Sequence, residues 1–227
     1  MKLKYKNLLF AAGLAVLLTV FGGCYDHGTD NQRIYGSGDL VSENRPVSSF
    51  TSVSVEGSAE VRLLPSDTEA LRIEADDNII DKVITEIEDG TLHIYLEKGS
   101  YTNITVRAYV SMKKLESLSC SGSASFETQK PFDMDEFSCR INGSSSVKIS
   151  GRANKEAIEI SGTGNISNYN LEASEAKVTI SGAGNVQLTV KDKLDAVISG
   201  TGNITYDGNP QVVNQKIFGV GSINKRR

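Results

Sequence analysis

From Val47 onward, apolar residues recur at every second position. "FTSVSVEGSAEVRLL" aligns Val53 and Val55, then Val61 and Leu63, while "LRIEA" does the same with Leu71 and Ile73. "ITVRAYV" alternates again. A period of two is that of a strand with one face buried. "VITEIEDGTLHIYL" holds two such runs around Asp89-Gly90. That dipeptide accepts positive φ readily and predicts a two-residue hairpin turn. "NIIDKVI" has room for a short helical turn, but nothing long enough for a helical domain appears. The pattern predicts an all-β fold.

A longer period overlies the short one. With Gly122, Gly143, Gly162, Gly182, Gly200 and Gly219 set as position zero, the intervals are 21, 19, 20, 18 and 19 residues. Two residues before each glycine stand Cys120, Ile141, Ile160, Ile180, Ile198 and Ile217; four after stand Phe126, Val147, Ile166, Val186, Ile204 and Ile223. Position plus three holds Ser125, Ser146, Asn165, Asn185, Asn203 and Ser222. Weaker copies are read upstream at "IYGSGDL" (34–40), "VEGSAEV" (55–61) and "IEADDNI" (73–79). Strand patterning at a period near twenty predicts stacked coils, a β-solenoid, rather than a sandwich.

In such a stack each residue lies about 4.8 Å above its counterpart. The minus-two and plus-four columns then fill a narrow interior with branched aliphatics. Glycine at position zero is expected to give a sharp corner or a positive φ, and Asn165, Asn185 and Asn203 to stack their amides. Cys120 and Cys139 both point inward but are offset by two residues, a diagonal near 8 Å against the roughly 7 Å limit for a disulfide. They read as buried free thiols.

The N-terminus follows a different logic. Lys2, Lys4 and Lys6 precede the apolar run Leu8 to Val20, which is short for a membrane span, and Gly22 and Gly23 lead to Cys24. This reads as a signal peptide over residues 1–23. "FGGC" resembles a lipobox, with Phe21 where Leu is usual, and makes Cys24 the lipidation site. Several acyl chains at roughly 0.8 kcal/mol per buried CH₂ would hold the protein to a membrane that it does not cross. Residues 24–45 are polar and read as a tether; residues 46–227 form the domain, with clear repeats over 118–227.

Without its signal the chain keeps 21 of its 24 Lys and Arg against 28 Asp and Glu, a formal charge of −7. That argues against a nucleic-acid partner, which needs a basic stripe. Trp is absent and Pro is scarce, consistent with a core of small and branched side chains.

"SGTGN" invites comparison with a phosphate cradle, but a cradle needs a strand–loop–helix. Here each copy runs from strand to strand. A catalytic β-helix would need converging carboxylates, whereas the minus-three column reads Ser119, Arg140, Glu159, Thr179, Val197 and Lys216. Arg140 and Glu159 are expected to pair across coils. "DMDE" (133–136) and "ADD" (75–77) are the tight acidic groups, and solvated acids are the simpler reading than Ca²⁺. His27 and His93 have no partner at metal-ligand spacing. Tyr95, Tyr101, Tyr109, Tyr169 and Tyr206 offer stacking faces for sugars, though half-buried strand tyrosines are the simpler reading. No metal, cofactor or catalytic residue is expected.

The "SGxGN[IV]" repeats, "FTSVSVEGSAEV" and "ADDNIIDKVITEIEDGTLHI" together resemble the head-GIN-domain, auto-transporter adhesin-like lipoproteins of Bacteroides-type bacteria. The resemblance covers roughly Arg45 to Ile223. It implies a right-handed parallel β-helix-like solenoid, export to the cell envelope and a surface role as an adhesin, with no catalytic residues to carry over. A lipid-anchored outer-membrane binding module for a glycan or protein ligand is the leading expectation. A structural or assembly component of the envelope, and then a carbohydrate-active β-helix enzyme, are the alternatives. No ligand-binding residue is singled out.

Overall fold

The computed structural model describes residues 33–227. Cys24, the signal segment and the first part of the tether lie outside the described residues.

β1 (Arg33–Tyr35) and β2 (Leu40–Arg45) precede β3 (Ser52–Val55), β4 (Ser58–Pro65) and β5 (Ala70–Asp76). A 3-10 turn at Ile80–Lys82 leads into β6 (Val83–Glu88), β7 (Thr91–Leu96), β8 (Ser100–Thr102) and β9 (Val106–Met112). The repeat region supplies β10 (Ser117–Cys120), β11 (Ser123–Thr128), β12 (Phe132–Ile141), β13 (Ser144–Lys148) and β14 (Gly151–Ile160). It continues through β15 (Thr163–Ile180), β16 (Ala183–Ile198), β17 (Thr201–Asp207), β18 (Val212–Ile217) and β19 (Val220–Lys225).

Two parallel ladders run through the molecule and define a β-solenoid. One has the order β7-β3-β10-β12-β14-β15-β16-β18. The other has the order β9-β4-β11-β13-β15-β16-β17-β19. The first aligns Ile94, Val55, Cys120, Ile141, Ile160, Ile180, Ile198 and Ile217 in one column. The second aligns Ala108, Val61, Phe126, Val147, Ile166, Val186, Ile204 and Ile223. These columns are buried except at Ile217. Inward side chains therefore contact their counterparts above and below, which suits β-branched residues on a pleated surface.

The corner between the ladders is built the same way in successive coils. The carbonyl of Ile141 accepts from the backbone N–H groups of both Ser161 (2.9 Å) and Gly162 (3.1 Å), and that of Ile160 accepts from Ser181 (2.8 Å) and Gly182 (3.1 Å). The position-zero glycines do not have positive φ, contrary to one expectation above. Their requirement is proximity. A Cβ on Gly182 would lie 2.1 Å from the carbonyl oxygen of Gly162 and 2.3 Å from that of Ser161. The second glycine of the motif faces the core, where a Cβ on Gly164 would lie 2.8 Å from Ile160 Cδ1.

The N-terminal part departs from simple stacking. "VEGSAEV" is a genuine coil corner, since a Cβ on Gly122 would lie 2.0 Å from the Gly57 carbonyl oxygen. "IEADDNI" and "IYGSGDL" are not copies: β5 runs antiparallel to β9, and β2 antiparallel to β5. The coil beyond β3–β4 is formed instead by β7 and β9, which come later in the chain. β6 then closes the outer edge of β7 through a turn in which Asp89 and Gly90 have φ of 47° and 72°, the pair of positive values a two-residue hairpin requires. Residues 33–45, read above as tether, form β1 against β8 and β2 against β5. β2 is an exposed edge strand, so little apolar patterning marks it.

Cys139 stands opposite Leu118 and Cys120 opposite Ile141, the two-residue offset expected from the frame. Both thiols are free and buried, and burial pushes both above the ordinary thiol range.

Candidate binding surfaces

The outward columns are neutralised by pairs between adjacent coils. Arg140 meets Glu159 at 3.2 Å, Lys148 meets Glu127 at 3.0 Å, and Lys191 meets Glu172 at 2.6 Å. Each exposed pair is screened by solvent and adds little to stability. Their larger effect is to leave these columns without a continuous field of one sign. Asn165, Asn185 and Asn203 are in register on this exterior. The Asn203 amide donates to Asn185 Oδ1 at 3.2 Å, and Ser222 Oγ donates to Asn203 Oδ1 at 2.8 Å.

A solvent-open cleft of about 670 Å³ lies beside β10 and β12, with Lys114, Glu116, Asp133, Asp135, Glu136 and Lys155 on its walls. The acids of "DMDE" do not converge within it. Asp133 pairs with Arg152 (3.1 Å), Asp135 accepts from the Asn154 amide (2.6 Å), and Glu136 pairs with Lys155 (2.8 Å). Each is engaged by the next coil. In "ADD", Asp76 is buried and accepts from the backbone N–H groups of Gly38 (2.8 Å) and Thr105 (2.6 Å), joining the β1–β2 turn to the segment before β9. His93 Nδ1 lies 3.3 Å from Glu56 Oε1. Among the described residues no group of three or more His, Cys, Asp or Glu is placed to hold a metal.

Tyr95, Tyr101, Tyr109, Tyr169 and Tyr206 are half-buried, as the simpler reading had them, and several are engaged. Tyr109 has the Arg72 guanidinium 3.9 Å and the Arg62 guanidinium 5.6 Å from its ring centre, and Tyr169 is covered by Arg226 at 4.5 Å. The Tyr95 hydroxyl donates to Glu86 (2.9 Å) and that of Tyr101 to the Glu97 carbonyl (2.9 Å).

One chemically loaded group escaped the sequence reading. Glu156 is fully enclosed between Phe137 and Ala176 of the neighbouring coils. Its Oε1 accepts from the Asn168 amide (2.8 Å), whose own Oδ1 accepts from the Ile149 backbone N–H (2.9 Å). Oε2 has no partner. Burial pushes the carboxyl up to about 7, against the opposing pull of the Asn168 hydrogen bond. The signal was present: counting back in twos from Ile160 passes Ile158 and lands on Glu156. This group is sealed in the core and touches no surface cleft.

The described residues thus form an all-β, mostly parallel β-solenoid whose outward acids of residues 133–136 are paired with the next coil. The chain belongs to the family described as "Putative auto-transporter adhesin, head GIN domain", whose model matches residues 49–210. No curated protein matches it. Among solved structures, it is similar to a "putative adhesin" from Bacteroides fragilis, with 21% identity, a TM-score of 0.70, and coverage of 85% of this chain and 100% of that one. A "putative adhesin" from Parabacteroides distasonis gives 23% identity, a TM-score of 0.60 and coverage of 86% and 100%. A "putative lipid binding protein" from the same species gives 24%, 0.53, and the same coverage. These likenesses show a shared fold.

Proposed function

We propose that this protein is a non-catalytic, lipid-anchored binding module of the bacterial cell envelope, an adhesin built on a β-solenoid. Membership of an adhesin-described family across most of the solenoid carries this reading. The outward columns support it, because their acids pair across coils instead of converging on a reaction centre. The anchor is assigned to Cys24 and the location to the outer membrane; the ligand class is a glycan or protein, with no cofactor.

Cys24→Ser should move the protein from the membrane fraction to the soluble fraction, and protease added to intact cells should digest the wild type. Unchanged fractionation would remove the anchor from this reading. The purified mature protein should capture a saturable ligand from envelope or mucosal glycan extracts without altering it. Turnover of a polysaccharide, abolished by one carboxylate substitution, would instead make the protein an enzyme.

A further inference from the structure

A third run of parallel pairing passes through the first half of β12, then β14, β15 and β16. Two outward columns on this side alternate in sign from coil to coil. One reads Asp133, Arg152, Glu172 and then Lys191, which meets Glu172 at 2.6 Å. The other reads Glu136, Lys155, Glu175 and Lys193. Arg152 and Lys155 each lie between two acids, and Glu172 and Glu175 each between two bases. Asp133 and Glu136 have a base on one side only, at 3.1 Å and 2.8 Å.

Their other side is bare. β12 pairs with β10 only from Ser138 onward, so among the described residues no strand meets the outer edge of residues 132–137. The cleft of about 670 Å³ runs beside this edge, which shares it with Lys114, Leu115 and Glu116. An inward column ends there as well. Ala153, Ala173 and Val190 are buried, whereas Met134, the member on β12, is half-buried. A strand edge with unpaired backbone groups is ready to take another strand. The neighbour already in place shows the form that fits: β14 meets this stretch with Arg152, Ala153, Asn154 and Lys155.

We propose that the edge of β12 is a strand-addition site for a protein partner presenting an extended segment in which a basic, an apolar, a polar and a basic residue follow in turn. The added strand lies about 4.8 Å from β12. Its two bases continue the columns that end at Asp133 and Glu136, and its apolar residue covers Met134. Main-chain hydrogen bonds supply affinity and the alternate side chains supply selectivity. Opposite charges across neighbouring strands attract and like charges repel, which sorts the possible occupants. A second copy using the same edge would bring Asp133, Asp135 and Glu136 against their own counterparts. Residues 25–32 of this chain carry Asp26 and Asp30 and neither Lys nor Arg. A basic partner meets no such conflict.

The inference narrows the ligand of the proposed binding module to a protein, and so rests on that reading. Fluorescence anisotropy tests it with the mature protein in detergent and a labelled peptide, Val-Lys-Val-Asn-Lys-Val. This peptide should bind saturably, and about tenfold or more tighter than one with glutamate in place of lysine. Methylating its alternate backbone nitrogens removes strand donors and keeps the charge, and should abolish binding. Asp133→Lys with Glu136→Lys should reverse the preference between the lysine and glutamate peptides. Both side chains are exposed, so circular dichroism should stay unchanged. Equal affinity for the methylated peptide, or a preference that does not reverse, would overturn the proposal. So would a different occupant: peptide binding seen only after deletion of residues 25–32, or a dimer that the peptide disperses. Capture of a glycan by a protein that ignores the peptide would overturn this inference and leave the binding reading intact, whereas failure to capture either would remove both.

Discussion

At the residue scale, two positions carry tests. The corner glycines are required by contact with the coil beneath, so even the smallest side chain is excluded. At Gly182 the new Cβ would sit 2.1 Å from a backbone carbonyl oxygen, which has no rotamer in which to withdraw. Gly182→Val should cost about 3 kcal/mol or more, or roughly 6–12 °C in Tm. A melting temperature equal to wild type would refute the close-packed corner. Glu156 makes the stability depend on pH. Unfolded, its carboxyl ionises near 4.5; folded, near 7. Below the lower value both states hold the proton. Between the two only the unfolded state releases it, so stability falls as pH rises through this window, by roughly 3 kcal/mol in all. Glu156→Gln should flatten that segment and raise stability above pH 7. Parallel profiles of Tm against pH for the two proteins would rule out the assignment, since other titrating groups cancel in the difference.

At the scale of elements, legibility followed how local each signal was. The Asp89-Gly90 hairpin was readable because two adjacent residues determine the turn. The coils from Cys120 to Ile223 were readable because each repeats the last, with the same residue types in the same columns. β2 was missed because an exposed edge strand needs no apolar stripe. The place of β7 and β9 outside β3 and β4 was missed because alternation fixes which face a strand buries and not which neighbour it takes. "IEADDNI" resembled a coil for the same reason: β5 has the right inward face but runs the other way. Of the candidate surfaces, the sequence identified the Arg140–Glu159 pair and the Asn column. It could not reveal that the acids of residues 133–136 are each held by the next coil, because that depends on how β12 and β14 align.

At the scale of the whole molecule, the order of strands in space is not their order in the chain. Ile180 finds its partners at Ile160 and Ile198, one repeat to either side. Ser52 finds its partners at Thr91 and Ser117, both far downstream. Closing long loops delays contact formation, whereas adjoining repeats propagate structure from neighbour to neighbour. The strands made first are therefore completed late: the β3–β4 coil cannot be enclosed until both β9 and β11 have left the ribosome. Pulse-labelled hydrogen exchange during refolding should protect amides of β13 to β17 before those of β3 and β4, and the reverse order would contradict this. A chain interrupted shortly after Met112 would leave β3 and β4 without β10 and β11 on one side, whereas one lacking only its last coil would still pair β3 and β4 on both sides. Assembly therefore starts in the later repeats and ends on the segment that was synthesised first.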